Sequence, residues 1–198
     1  KIAISDKCTA VSTKSYWYGI ETQWKWGEII FPNTITKVID EWNGEFFDYG
    51  YTDDTHAGNK KEIKVILNMK YLDRDSIKNL WQSNSRWRNS LKDELIRKGL
   101  AKLNEENERM LMFDNGYLCA YLMKDISRID DRSAWETIDG LVVPDNVKTI
   151  GTEAFTGFLV KSLTFGSGVK YVEENVLLAA DVPNTYKNMA TIYVKNHD

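Results

Sequence analysis

Apolar positions near the C-terminus recur at a fixed distance. Leu141, Val147, Ile150 and Phe155 in the stretch 141–155 are matched by Leu163, Val169, Val172 and Leu177 in the stretch 163–177, an offset of 22 residues from 141 to 163 and throughout. A constant period of this size signals stacked units, each too small to bury its own apolar face. Upstream, Ile126 and Ile129 align with Val147 and Ile150 as a third copy, and Ile29-Ile-Phe-Pro32-Asn-Thr-Ile35-Thr-Lys-Val38 reads as a fourth. Within a copy, the apolar residues before Pro144 form a strand, which the proline ends because it cannot donate to a ladder. Val147 and Ile150 then point inward, Gly151 permits a tight bend, and Ala154 and Phe155 pack under the next unit.

The remaining pattern divides the chain into three. Residues 1–72 read as mostly β: Ile2–Ile4 and Ile63–Leu67 are strand candidates, a Trp/Tyr-rich stretch over 16–31 ends at Pro32, and 48–61 is a polar loop. Residues 73–108 are a helical segment whose helices span 73–104. Asp73 or Asp75 is the N-cap, Trp87, Leu91 and Leu95 share a face, Asn84-Ser85 separates a short helix from a long one, and Gly99 weakens the far end. Residues 109–198 return to β with the repeats. Asn115-Gly116 marks a type I′ hairpin, which needs positive φ at both central residues, and Thr191–Val194 is a last strand that caps the stack. The fold class is α+β: an aromatic-rich β region, a helical insert and a short degenerate repeat stack, forming one compact domain or more than one.

The first copy resembles the leucine-rich repeat of BspA-type bacterial surface proteins. Pro144, Val147, Ile150, Gly151, Ala154 and Phe155 match that family's unit, which runs strand, Pro, polar turn, Val-x-x-Ile-Gly, two polar residues, Ala-Phe. Phe113–Leu118 resembles the hairpin that often precedes such repeats there. The second copy departs, with Gly166 for the Pro, Glu173 for the Gly and Val176-Leu177 for Ala-Phe. The resemblance covers about residues 109–178. It implies a repeat architecture and protein or surface binding, and it transfers no catalytic residue.

Composition narrows the function. At 198 residues, 42% hydrophobic and 28% charged, the chain has the balance of a folded globular protein. A net charge of −3 argues against a generally basic, phosphate-binding surface. No run of about 18 apolar residues exists, so membrane insertion is not expected. Lys1-Ile-Ala-Ile-Ser lacks the apolar core of a signal peptide, so the chain as it stands reads as cytoplasmic; a signal removed before Lys1 would instead place it at the cell surface. Cys8 and Cys119 lie in apolar stretches and are expected as small core residues, with pairing the alternative.

Three groups of residues invite a functional reading. The aromatics crowded between Tyr16 and Tyr51 serve either as the core of a small β region or as an exposed binding patch. In the second case Trp17, Tyr18, Tyr49 and Tyr51 are the contacts. The helical segment carries an excess of Lys and Arg, and Arg86, Trp87 and Arg88 would suit docking to an acidic partner; a solvated helix face is the plainer alternative. His56 beside Asp53 and Asp54 has ligand chemistry, but no second cluster accompanies it, and the expectation is an ordinary loop with no metal or cofactor. The familiar nucleotide-binding, nucleophile and zinc-hydrolase motifs are missing. The expected function is therefore non-enzymatic binding of a protein partner, of bacterial surface or adhesion type. The alternatives are a small phage or mobile-element inhibitor that blocks a host protein, even a nucleic-acid-handling one, and carbohydrate binding through the aromatics. Direct nucleic-acid binding is not expected, and the sequence leaves the oligomeric state open. The repeat core is assigned to Pro144, Val147, Ile150, Gly151, Phe155, Val169 and Val172.

Overall fold

The computed structural model describes residues 1–12, 27–39, 62–82, 87–126, 135–174, 176 and 191–194. The fold is a mixed α+β one, with two helices and short strands in small sheets among these residues. The chain separates into two compact units, Lys1–Leu100 and Ala101–Asp198. The expected boundaries after 72 and 108 give way to this one. Helix side chains bond the strands that precede them, whereas Lys102–Leu103 is not helical and pairs as a strand with Met110–Met112.

The first unit holds β1 (Ile2–Ala3), β2 (Ala10–Ser12), β3 (Glu28–Phe31), β4 (Lys37–Ile39) and β5 (Lys64–Leu67), followed by α1 (Arg74–Gln82) and α2 (Arg88–Arg97). Alternation sets the strand faces: Ile29 and Phe31 on β3, and Val65 and Leu67 on β5, are buried. β1, β3 and β5 run parallel in that order, and β2 runs parallel to β4. Ile2 pairs with Ile29 and Ala10 with Lys37, the same 27-residue offset each time. The same turn leads from β1 to β2 and from β3 to β4: the Cys8 amide donates to the Ser5 carbonyl at 3.0 Å and the Ile35 amide to the Pro32 carbonyl at 3.4 Å. The copy read at Ile29–Val38 thus has a neighbour at Ile2–Val11, of which the sequence pattern shows only a strand candidate at Ile2–Ile4.

The helices close this unit. Asp73 caps α1 as expected, its Oδ1 accepting from the Ser76 amide at 2.8 Å; the Ser76 side chain foremost, and this amide bond after it, hold its carboxyl below the usual range. Trp87, Leu91 and Leu95 are all buried, so the predicted shared face is real. Gly99 ends α2 at φ +70°. Its amide donates to Ile96 and that of Leu100 to Leu95, the paired bonds of a Schellman cap. Glu94 lies on the β5 side of α2. Its Oε2 accepts from the Leu67 amide at 3.0 Å while Arg97 grips both carboxylate oxygens at 2.8 Å. Arg97 above all, with the Leu67 amide helping against partial burial, holds this carboxyl below the usual glutamate value of 4.5. A depressed folded-state pKa gives stability that is present above the unfolded value and lost as pH falls through the folded one. The urea midpoint of the wild type should therefore drop on acidification from about pH 5 downwards, and that of Glu94→Gln should drop less steeply. Equal slopes would remove Glu94 from the account.

The second unit begins with β6 (Lys102–Leu103), β7 (Met110–Met112) and β8 (Tyr117–Tyr121). β7 and β8 are antiparallel, joined at Asn115 (φ 53°) and Gly116 (φ 80°), the two positive angles that the expected hairpin turn requires. Then come β9 (Glu136–Ile138), β10 (Leu141–Val142), β11 (Thr149–Ile150), β12 (Phe158–Val160), β13 (Ser162–Phe165), β14 (Tyr171–Val172) and β15 (Thr191–Val194). Leu141 pairs with Leu163, Ile150 with Val172 and Glu136 with Phe158, all parallel and all 22 residues apart, like the Asp139–Lys161 bond. Turns at Pro144–Val147 and Gly166–Val169 repeat the amide-to-carbonyl bond of the first unit at 3.1 and 3.2 Å. Leu141, Val143, Val147, Ile150, Ala154, Phe155 and Leu163 fill the interior, and Pro144 is buried beside them.

Several expectations need correction. The strand beside Ile150 on the side away from Val172 is β8, with Leu118 as its partner, so the hairpin itself adjoins the first copy. Ile126 of the expected third copy is buried; the rest of that third copy lies outside the described residues. Val169 is only half-buried and Val172 is 48% exposed; among the described residues β14 borders its sheet, with β11 on one side. Gly151 does not take a positive φ. Its role is to make room, since a Cβ there would sit 2.5 Å from the Tyr117 hydroxyl oxygen and 2.7 Å from its ring carbons. That ring is stacked on Phe113 at 5.8 Å and its hydroxyl is held by Glu173, so it has little freedom to withdraw. Gly151→Ala should cost about 1–3 kcal/mol in chemical denaturation by overpacking. A neutral substitution would show that the ring yields.

The departures of the second copy now have a cause. A Cβ at Gly166 would lie 2.5 Å from the Val143 carbonyl oxygen, and one at Gly168 would overlap the carbonyl oxygen of Asp145. The second turn sits directly on the first, and no proline fits there. Glu173, in the place of Gly151, accepts through Oε2 from the Tyr117 hydroxyl (2.8 Å), the Thr152 amide (3.0 Å) and the Thr152 hydroxyl (2.9 Å), tying the two copies together.

Candidate interaction surface

The residues proposed from sequence separate into two groups. Trp17, Tyr18, Tyr49, Tyr51 and Arg86 lie outside the described residues, as do His56, Asp53 and Asp54; of the aromatic stretch only Phe31 is described, and it is fully buried. Trp87 and Arg88 are not on the surface. Trp87 is 1% exposed, packs edge-on against Phe31 with ring centroids 6.1 Å apart, and donates from Nε1 to the Leu80 carbonyl at 3.0 Å. Arg88 is 8% exposed, donates from Nε to the Trp81 carbonyl at 2.9 Å, and holds its guanidinium 5.9 Å from the Trp81 ring centroid. Both carbonyls belong to the last turn of α1, where intrahelical donors run out. Trp87 and Arg88 therefore cap the end of α1.

The described surface offers a different feature in the second unit. β15 reads Thr-Ile-Tyr-Val, β-branched and aromatic residues suited to an extended strand. It pairs in parallel with β13 over all four residues, from Ser162–Thr191 to Phe165–Val194, and its other edge forms the border of the β10-β13-β15 sheet. All four of its side chains are exposed, on both faces, with Tyr193 at 55%. On the sheet that ends in β14, Tyr171 is 69% exposed beside Val172. The strand was expected as a cap hiding apolar surface. It covers the edge of β13 but presents apolar surface of its own. Its β-branched composition was visible in the sequence; its exposure was not, because that depends on what packs over it.

The polar environment here is structural. Lys161 Nζ meets the Asp139 carboxylate at 2.6 Å, and Ser162 Oγ donates to the Asp139 carbonyl at 2.7 Å. Arg109 bonds Glu136 at 2.8 Å and the Leu122 carbonyl at 2.8 Å while lying over the Tyr121 and Phe158 rings. Burial pushes the Glu136 carboxyl up, but the Lys124 amide and Arg109 outweigh it and leave the carboxyl below its usual range. Cys8 is half-buried and Cys119 buried, and neither forms a disulfide. Among the described residues no three His, Cys, Asp or Glu side chains gather as a metal site, and no helix is long and apolar enough to cross a membrane. An exposed apolar strand at the border of a sheet, as β15 is among the described residues, is suited to contact with another polypeptide. No family model matches the chain, and comparison with curated proteins and with solved structures finds no match either.

Proposed function

We propose that the chain is a non-enzymatic protein-binding module whose Ala101–Asp198 unit is a short, degenerate leucine-rich-repeat stack of the BspA type. One observation carries this reading: the strands of the two copies pair at the same 22-residue spacing at which the sequence repeats. Stacked repeats of this kind form rigid platforms whose working surface is lateral. The exposed strand β15 and the exposed Tyr171 of β14 supply apolar contact area of the sort that anchors protein interfaces. The resemblance to BspA-type proteins makes a bacterial surface or adhesion setting the natural one.

The test is affinity capture with the full chain, from lysate and on intact cells, followed by mass spectrometry. A Tyr171→Lys/Tyr193→Lys variant and a Trp17→Ala/Tyr18→Ala variant run beside the wild type. A protein retained by the wild type and lost from the lysine variant supports the module and its β14/β15 surface. Loss only from the Trp17/Tyr18 variant moves the surface to the aromatic stretch. Capture of no protein from either source, with retention on a glycan matrix instead, overturns the reading in favour of carbohydrate binding.

A further inference from the structure

We propose that α1 and α2 are a built-in stop that keeps the first unit from adding further strands beyond β4 and β5, and in particular from pairing there with a second copy of the chain. Among the described residues, the parallel order β1-β3-β5 leaves β5 with one edge not paired to a strand, and the β2-β4 pair leaves β4 with another. Unpaired edges of this kind are templates for association. In this unit helix side chains, not a strand, occupy them. The Val65 amide donates to Ser90 Oγ at 2.8 Å, and the Ser90 hydroxyl lies 3.4 Å from the Val65 carbonyl oxygen. The Leu67 amide donates to Glu94 Oε2 at 3.0 Å. On β4, the Val38 amide donates to Ser76 Oγ at 2.9 Å, and Asn79 Nδ2 donates to the Val38 carbonyl at 2.9 Å.

The spacing fits the task. Ser90 and Glu94 are four residues apart on α2, a rise of about 6 Å along a helix. Val65 and Leu67 are two residues apart on β5, about 6.6 Å along a strand. A helix laid along the edge can therefore satisfy successive outward amides with residues of one face. Ser76 and Asn79 share a face of α1 in the same way, at i and i+3. Arg97 fixes the Glu94 carboxylate in place with two bonds of 2.8 Å, and the buried Trp87, Leu91 and Leu95 hold α2 in the same unit's core. These polar residues look unremarkable in a helical segment; their placement along two strand edges gives them a common purpose.

The experiment is sedimentation velocity over a concentration series on the full chain, comparing the wild type with Ser90→Ala/Glu94→Ala and with Ser90→Thr/Glu94→Gln. The alanine pair leaves the Val65 and Leu67 amides open and should form larger species than the wild type, increasingly so with concentration. The Thr/Gln pair keeps an acceptor at each position and should sediment as the wild type does. An alanine pair that keeps its near-UV circular dichroism and sediments like the wild type at every concentration would overturn the proposal. Should the alanine pair unfold, hydrogen exchange decides on folded protein. In Ser90→Ala the Val65 amide should exchange about tenfold faster than in the wild type, as expected for one lost bond. An unchanged rate would show that the hydroxyl does not guard the edge.

Discussion

Phe155→Ala should lower the stability of the second unit by about 3–5 kcal/mol, the usual cost of emptying a buried aromatic site. Phe155 is 1% exposed, its ring lies 6.2 Å from that of Tyr121, and its amide donates to the Val176 carbonyl at 3.2 Å. Its neighbours cannot easily collapse into the space. Tyr121 is pinned by its ring contact with Phe158 at 4.9 Å and by Arg109 above it, and the Ala154 carbonyl accepts from the Tyr121 amide at 2.6 Å. The matching control is Val172→Ala, at an exposed position of the same repeat frame, which should change stability by no more than about 0.5 kcal/mol. Chemical denaturation followed by hydrogen exchange at Leu118 reports on this unit. A cost below about 1 kcal/mol for Phe155→Ala would remove the ring from the centre of the repeat packing.

The contrast between these two residues shows what the sequence can and cannot convey. Periodicity aligns Ile150 with Val172, and the two do pair as neighbours in parallel strands. Periodicity says nothing about whether a further layer follows, so it assigns both to the core, and only Ile150 is there. Asn115-Gly116 and Asp73 were legible because each acts locally: one needs positive φ, the other needs a helix amide within reach. The copy at Ile2–Val11 escaped because Ser5 and Cys8 stand where proline and a larger apolar residue mark the turn at Ile29–Val38, and the shared backbone bond leaves no side-chain signature. Gly151 misled for a related reason. The partner that demands it, Tyr117, is distant in sequence, so a local bend was the available explanation. As for the candidate contacts, a basic and aromatic pair such as Trp87-Arg88 reads alike whether it faces solvent or caps a helix; only the direction of the side chains separates the two.

Trp87→Ala should therefore act on stability, with a loss of about 3–5 kcal/mol in the first unit. Two losses combine. The indole fills space against Phe31, and its Nε1 proton satisfies the Leu80 carbonyl near the end of α1. Trp87→Phe separates them, because it keeps most of the packing and removes the donor; its cost should be about 1–3 kcal/mol, that of a buried hydrogen bond left unmade. A surface anchor would behave in the opposite manner. Truncating an exposed tryptophan weakens partner binding and leaves the urea midpoint nearly unchanged. Denaturation and affinity capture on the same three proteins thus divide the two roles. A large stability loss ordered Ala over Phe assigns Trp87 to the core of the first unit. An unchanged midpoint together with lost capture would return it to the surface and undo the packing of α2 against β3.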